Sequence, residues 1–239
     1  MALNGAKSAL GFLTRLPVSV PNPAVDLVAW FWLPGVLAGA LWGLAAAWSG
    51  AAHKGLWLAL TAEILLTGGL HWDGWADTFD GWMASPGSRA AARQDSRIGT
   101  GGVLAIGLAL GAFWMVWPTA GTLSPLWVGL PALWARAAIA WGLQWKPVDD
   151  SSRLLRWFQE EHRERFGWIT LVMTTGITVT VMGWAGLIGF GVVLMVVALF
   201  LAGMRRIYHG VHGDMLGATV VLTELAGLAV IGLLGRGLT

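Results

Sequence analysis

Apolar runs of near-spanning length recur along this chain, at about 28–49, 55–72, 99–120, 125–145, 167–183, 184–203 and 215–235. A helix needs about 20 predominantly apolar residues to cross the roughly 30 Å hydrocarbon core of a bilayer. Backbone groups in lipid must pair within their own segment, so these runs are expected as helices rather than strands. Charge points the same way. Only 12% of the residues are Asp, Glu, Lys or Arg, and mean hydropathy is +0.66, whereas a soluble domain carries about 25% charged residues. The expected fold is all-α: a polytopic integral membrane bundle of about seven transmembrane helices, one catalytic domain over 1–239. The two runs within 167–203 are divided at Met182-Gly183-Trp184. The start, through Val20, lacks the basic and small-residue features of a secretory signal. Arg15 and Pro17 cut its apolar stretch short, so it is expected as an interfacial helix or re-entrant segment.

Lys and Arg collect in cytoplasmic loops of membrane proteins. With a cytoplasmic N-terminus and alternating spans, the inner segments hold Lys7, Arg15, Arg89, Arg93, Arg97, Lys146, Arg153, Arg156, Arg163, Arg165, Arg205 and Arg206. Only Lys54 and Arg236 fall outside, and Arg136 lies within a span. Twelve against two sets the orientation expected for a prokaryotic cytoplasmic (inner) membrane. Most acids fall on the same side, so the chemistry is expected at the cytoplasmic face. The chain has no cysteine, which excludes disulfides, thiolate metal sites and a Cys nucleophile. The 17 Trp suit the membrane interface, and the 34 Gly suit close helix approach.

The stretch Gly69-Leu70-His71-Trp72-Asp73-Gly74-Trp75-Ala76-Asp77-Thr78-Phe79-Asp80-Gly81 closes the second run. If it is helical, Asp73, Asp77 and Asp80 share one face. Three stacked carboxylates repel one another, and hard oxygen ligands suit Mg2+ or Mn2+. Next comes Arg93-Gln94-Asp95-Ser96-Arg97-Ile98-Gly99-Thr100-Gly101-Gly102. Glycines, Ser96 and Thr100 at a helix start offer backbone N–H groups to phosphate. Arg93 and Arg97, one turn apart if helical, could clamp its oxygens. A third cluster holds Arg205, Arg206, His209, His212, Gly213 and Asp214, with Glu224 about 15 Å deeper along the helix. Glu224 is a functional candidate as an intramembrane carboxylate, and pairing with Arg136 is the alternative; Glu63 lies equally deep. His71, His209 and His212 show no zinc spacing and are read as hydrogen-bonding partners. The segment 146–167, with Leu154, Leu155, Trp157 and Phe158 among mixed charges, reads as an amphipathic surface helix.

These clusters, in this order, resemble the adenosylcobinamide-GDP ribazoletransferase (cobalamin synthase) family. Phe12-Leu13-Thr14-Arg15-Leu16-Pro17-Val18, the aspartate stretch, Asp95-Ser96-Arg97-Ile98-Gly99-Thr100 and Gly213-Asp214-Met215-Leu216-Gly217-Ala218 with Glu224 carry the likeness over nearly the whole chain. Trp72 and Trp75 stand where the family usually has leucine, and His212 where it has a small polar residue. The resemblance implies that adenosylcobinamide-GDP and α-ribazole, or its 5′-phosphate, give adenosylcobalamin, or its 5′-phosphate, plus GMP. It implies a divalent metal on Asp73, Asp77 and Asp80, with Asp80, Asp77 and Arg97 catalytic and Asp80 the first choice of general base. Substrate and phosphate contacts then fall to Arg15, His71, Arg93, Asp95, Ser96, Gly99, Thr100, Asp214 and Glu224. Expected partners are the two substrates, the bilayer, a second copy of the chain and other corrinoid-pathway enzymes, with no nucleic acid. The competing readings are a membrane phosphotransferase of CDP-alcohol type and a divalent cation transporter. A transporter would place its acids near the bilayer midplane, often on repeated interrupted helices.

Overall fold

The computed structural model describes residues 2–18, 22–145, 153–160 and 165–238. Among them every regular element is helical. The order is α1 (Ala2–Leu13), α2 (Trp32–Ser49), α3 (His53–Thr67), α4 (Leu70–Met83), α5 (Arg89–Gln94), α6 (Thr100–Ala120), α7 (Pro125–Gly142), α8 (Arg153–Gln159), α9 (Gly167–Tyr208) and α10 (Gly213–Leu238). A 3-10 turn, Leu27–Trp30, leads into α2.

The apolar runs become helices whose outer faces stay uncovered. Of the most apolar window of α6 only 28% is buried, and Leu108 and Met115 are 75% and 79% exposed. Water would penalise so much contiguous apolar surface, and lipid does not. The chain is therefore a membrane protein. Among the described residues four helical stretches are long and apolar enough to cross a bilayer: Leu27–Ser49, Thr100–Ala120, Gly167–Tyr208 and Gly213–Arg236. The expected count of about seven is not confirmed by that measure, and the reasons are local. The run at 55–72 is divided where Gly68 and Gly69 adopt left-handed φ of 68° and 77°. The first caps α3 and the second starts α4, and neither conformation suits a residue with a Cβ. α7 carries Pro131 and Arg136 in its interior. α9 fuses two runs into 42 residues, broken by Gly183 at φ 63°, ψ −149°.

That break reverses the chain. The α9 N-terminus packs on the C-terminal end of α7, where a Cβ at Gly167 would stand 2.7 Å from the Ala140 carbonyl oxygen. The Trp127 indole, at the other end of α7, donates to the Val181 carbonyl at 3.2 Å. Past Gly183 the helix returns until Leu201 lies beside Gly142. α7 is thus enclosed by α2, α9 and α10, and all residues from Val128 to Ala140 are buried.

The N-terminal segment forms α1, with Ala9 and Leu13 buried against the turn before α2. Of the expected surface helix at 146–167, residues 146–152 and 161–164 lie outside the described residues. Within α8, Leu155 and Phe158 are buried against the bundle.

Candidate active site

Small residues decide where the carboxylates meet. α4 crosses α10 so closely that a Cβ at Gly74 would stand 2.7 Å from the Asp214 carbonyl oxygen and 3.2 Å from Gly217 Cα. That approach sets Asp73 and Asp77 beside Asp214. The Tyr208 hydroxyl donates to the Thr78 carbonyl at 2.6 Å and ties α4 to the end of α9.

The expected face of three aspartates does form on α4, but its members differ in surroundings. Asp73 is exposed, Asp77 half-buried and Asp80 buried. Neither Asp73 nor Asp77 accepts a hydrogen bond from a described side chain. Both line a cavity of about 1200 Å³ with Arg15, Arg93, Arg97 and Asp214. The Asp80 carboxylate is turned away, to the start of α6. It accepts the backbone N–H groups of Gly99 and Gly102, each at 2.8 Å.

Two expectations bear on this geometry. The helix start at Gly99-Thr100 was expected to receive a phosphate, and the anion there is the chain's own Asp80. An anion at a helix N-terminus satisfies open N–H groups and the helix dipole together. Asp80, expected as metal ligand and first-choice base, here braces α4 against α6. Gly99 and Thr100 line a separate, smaller cavity on that side.

The arginines also depart from the expected clamp. Arg93 and Arg97 do not share a helix, because α5 ends at Gln94. Asp95 accepts the Arg97 backbone N–H at 3.0 Å, a local turn that competes with helix. The same carboxylate takes the Arg97 guanidinium through two bonds, at 3.1 and 2.8 Å, and these hold the Asp95 carboxyl down at about 2. Arg97 nevertheless stays on the rim of the larger cavity, as do Asp95 and Ser96. Arg93 reaches inward to Asp214 at 2.6 Å. Arg15 packs over Gly68, with its backbone N–H on the Leu66 carbonyl at 2.6 Å.

Glu224 is not brought to this cavity. Arg136, 1% exposed, donates to Glu224 at 2.7 Å and to Glu63 at 2.6 Å, and the Trp42 indole donates to Glu63 at 2.6 Å. A charge this deep must be paired, so the expected substrate contact is replaced by a buried brace across α2, α3, α7 and α10. His71 is buried at the second position of α4, and neither ring nitrogen has a hydrogen-bond partner among the described residues.

Asp73 and Asp77 are hard oxygen donors of the type a divalent cation takes. Burial, together with Asp73, Asp214 and Asp80, pushes the Asp77 carboxyl up to about 6, against the pull of Arg93. Crowded carboxylates of this kind are relieved by a cation. No three His, Asp or Glu among the described residues converge as a complete metal shell. Mg2+ characteristically takes only one or two carboxylates and completes its shell with water and substrate phosphate.

Sequence reasoning missed Trp42, which steadies Glu63, and the apolar residues Phe31, Leu143 and Phe158 near His71. Trp42, Phe31 and Leu143 are apolar residues among apolar residues and carry no local signal, and Phe158 was read only as part of an amphipathic surface segment.

A family model described as cobalamin-5-phosphate synthase matches residues 5–232. The chain is 32% identical to an adenosylcobinamide-GDP ribazoletransferase of Roseiflexus sp., covering 93% of this chain and 87% of that one. It is 32% identical to the protein of that name in Thiobacillus denitrificans, covering 99% of each. The corresponding protein of Pseudomonas fluorescens is 30% identical over 94% of this chain and 98% of its own length. No solved structure matches.

Proposed function

The chain belongs to the cobalamin-5-phosphate synthase family, and from that premise we propose that it joins adenosylcobinamide-GDP to α-ribazole or its 5′-phosphate, releasing GMP. The observation that carries this reading is the cavity where Asp73 and Asp77 face Arg15, Arg93 and Arg97. Cationic side chains there meet phosphate oxygens, while two carboxylates that accept no hydrogen bond from a described side chain offer a place for the counter-ion that a diphosphate brings. Asp73 and Asp77 would hold Mg2+ or Mn2+ together with diphosphate oxygens. The bound ion would supply neutralisation of the charge that builds as the P–O bond breaks.

A hydroxyl of the ribazole attacks the phosphorus attached to the cobinamide. The bond between that phosphorus and the GMP oxygen breaks, and GMP departs with the negative charge. Catalysis of such a step is mainly positioning and charge neutralisation. The hydroxyl proton passes to the carboxylate pair that lines the cavity, Asp73 and Asp77. Asp80 acts one step back, holding α6 and the loop that carries Arg97. Asp214 takes Arg93 and keeps its guanidinium over the cavity.

The site is assigned to the cytoplasmic face of the inner membrane, with a cytoplasmic N-terminus and seven crossings. The Lys and Arg distribution supports that orientation. The reversal at Gly183 supports counting α9 twice, and α3 with the start of α4 would supply a short, interrupted crossing. A homo-oligomer and contacts with other corrinoid-pathway enzymes belong to the same proposal.

The test uses purified full-length protein in nanodiscs, with adenosylcobinamide-GDP, α-ribazole and Mg2+. Coupled appearance of GMP and the joined corrinoid is expected. GMP without joined product, or no turnover with either acceptor form, refutes the reading.

A further inference from the structure

Beside the polar cavity lies a second, smaller one of about 170 Å³, and the two share Phe12, Leu70, Asp73 and Asp214. Away from that boundary its walls are almost wholly apolar. Phe12, Phe31 and Phe158 form an aromatic wall, with ring centroids 5.6 to 6.4 Å apart. Leu143 and Leu155, both 1% exposed, close another side. A dry cavity of about 150 Å³ with such a lining accepts benzene, so the space suits one small, flat, rigid ring system.

One polar side chain interrupts the lining. His71 is 3% exposed, and both its ring nitrogens lack a partner among the described residues. A neutral imidazole carries one N–H donor and one acceptor nitrogen. Both nitrogens are buried without a partner among the described residues, beside a chamber that His71 helps to line, and such groups are ordinarily satisfied. A ligand that fills this chamber should therefore be planar and apolar over most of its surface, with a single ring nitrogen to meet His71.

We propose that this chamber is the recognition subsite for the heteroaromatic base of the acceptor, and that His71 donates a hydrogen bond to the base nitrogen not joined to the ribose. The assignment rests on the acceptor being a ribazole, as proposed above. The base enters the aromatic pocket, the ribose lies at the boundary between Asp73 and Asp214, and its hydroxyl reaches the polar cavity where the diphosphate is held. Specificity for the lower base then resides in Phe31, Leu143, Phe158 and His71, separate from the residues that handle phosphate. The chamber's small volume favours a one- or two-ring base.

Two arms test this on the full chain in nanodiscs. In the kinetic arm, Leu143→Phe fills part of the chamber and His71→Leu removes the donor. Each is expected to raise KM for α-ribazole at least tenfold while KM for adenosylcobinamide-GDP moves less than twofold. His71→Asn, which restores a donor, should recover part of the loss. Equal rises in both KM values, or an unchanged KM for α-ribazole in folded Leu143→Phe, overturn the proposal.

The binding arm needs no turnover. Free 5,6-dimethylbenzimidazole should bind the wild-type protein by calorimetry at least fivefold more tightly than 5,6-dimethylindole, which lacks the acceptor nitrogen. Leu143→Phe should abolish binding and His71→Leu should erase the preference. That pattern upholds the chamber even if GMP release fails, which would defeat only the functional reading. No binding to the wild-type protein, or equal binding of both ring systems, refutes the proposal.

Discussion

Replacing Asp80 with alanine separates its bracing role from a chemical one. The change removes both oxygens that accept the Gly99 and Gly102 N–H groups at 2.8 Å. Gly102 is buried within the first turn of α6, so its N–H is left without water as well. A hydrogen bond to a charged group contributes about 1.5–3 kcal/mol, and a lost helix cap costs about 0.5–2 kcal/mol. These values overlap, since the same bonds make the cap, and about 3 kcal/mol is the expected total loss. That is a factor of roughly 150 in the folding equilibrium. For a chain of this size it lowers the unfolding midpoint by about 6–12 °C. Asp80→Asn keeps one acceptor oxygen and should lose about half as much. The assay is intrinsic Trp fluorescence during heating in one detergent, with GMP release measured well below both midpoints. Asp80→Asn should retain turnover within about tenfold of wild type, a change in the barrier of at most about 1.4 kcal/mol. If both variants melt within a degree of wild type yet release no GMP, Asp80 acts on the substrate and the brace is wrong.

Gly74→Ala should force α4 away from α10, since the new Cβ meets the Asp214 backbone at 2.7 Å. Overpacking costs about 1–3 kcal/mol, and displacing Asp73 and Asp77 from Asp214 should lower turnover by about 100-fold in protein that still folds. Arg136→Leu should cost about 3–5 kcal/mol by thermal unfolding, because it leaves two buried carboxylates unpaired. Glu224→Gln should cost only about 1 kcal/mol, its amide oxygen still accepting from Arg136; a larger loss than in Arg136→Leu contradicts the brace. Arg93→Ala strips Asp214 of its 2.6 Å partner and should raise KM for the nucleotide substrate about tenfold, a change of roughly 1.4 kcal/mol. An unchanged KM would remove Arg93 from the phosphate site.

What was legible in the sequence followed local periodicity. The helical placement of Asp73 and Asp77 on one face, the break at Gly183 and the membrane character all arise within single segments. The fate of Asp80 did not, because its partners lie 19 and 22 residues away on another helix. Its spacing from Asp77 matches that of a metal ligand equally well. The placement of Arg97 was hidden for a related reason: helical continuation puts it one turn from Arg93, and the Asp95 turn follows the end of that helix. Pairing of Glu224 with Arg136 could be foreseen as an alternative from depth alone. That Glu63 and Trp42 complete the brace needed four helices in place. The division of the run at 55–72 was not legible, because Gly68 and Gly69 interrupt it by left-handed conformations without any change in its composition.

The most direct test measures Mn2+ binding by electron paramagnetic resonance alongside GMP release, in wild-type, Asp73→Asn, Asp77→Asn and Asp80→Asn proteins with adenosylcobinamide-GDP present. The account predicts that Asp73→Asn and Asp77→Asn lose the bound-ion signal and at least 1000-fold in turnover, about 4 kcal/mol of transition-state stabilisation, while Asp80→Asn keeps the signal. Near-normal turnover and metal binding in both Asp73→Asn and Asp77→Asn would contradict it.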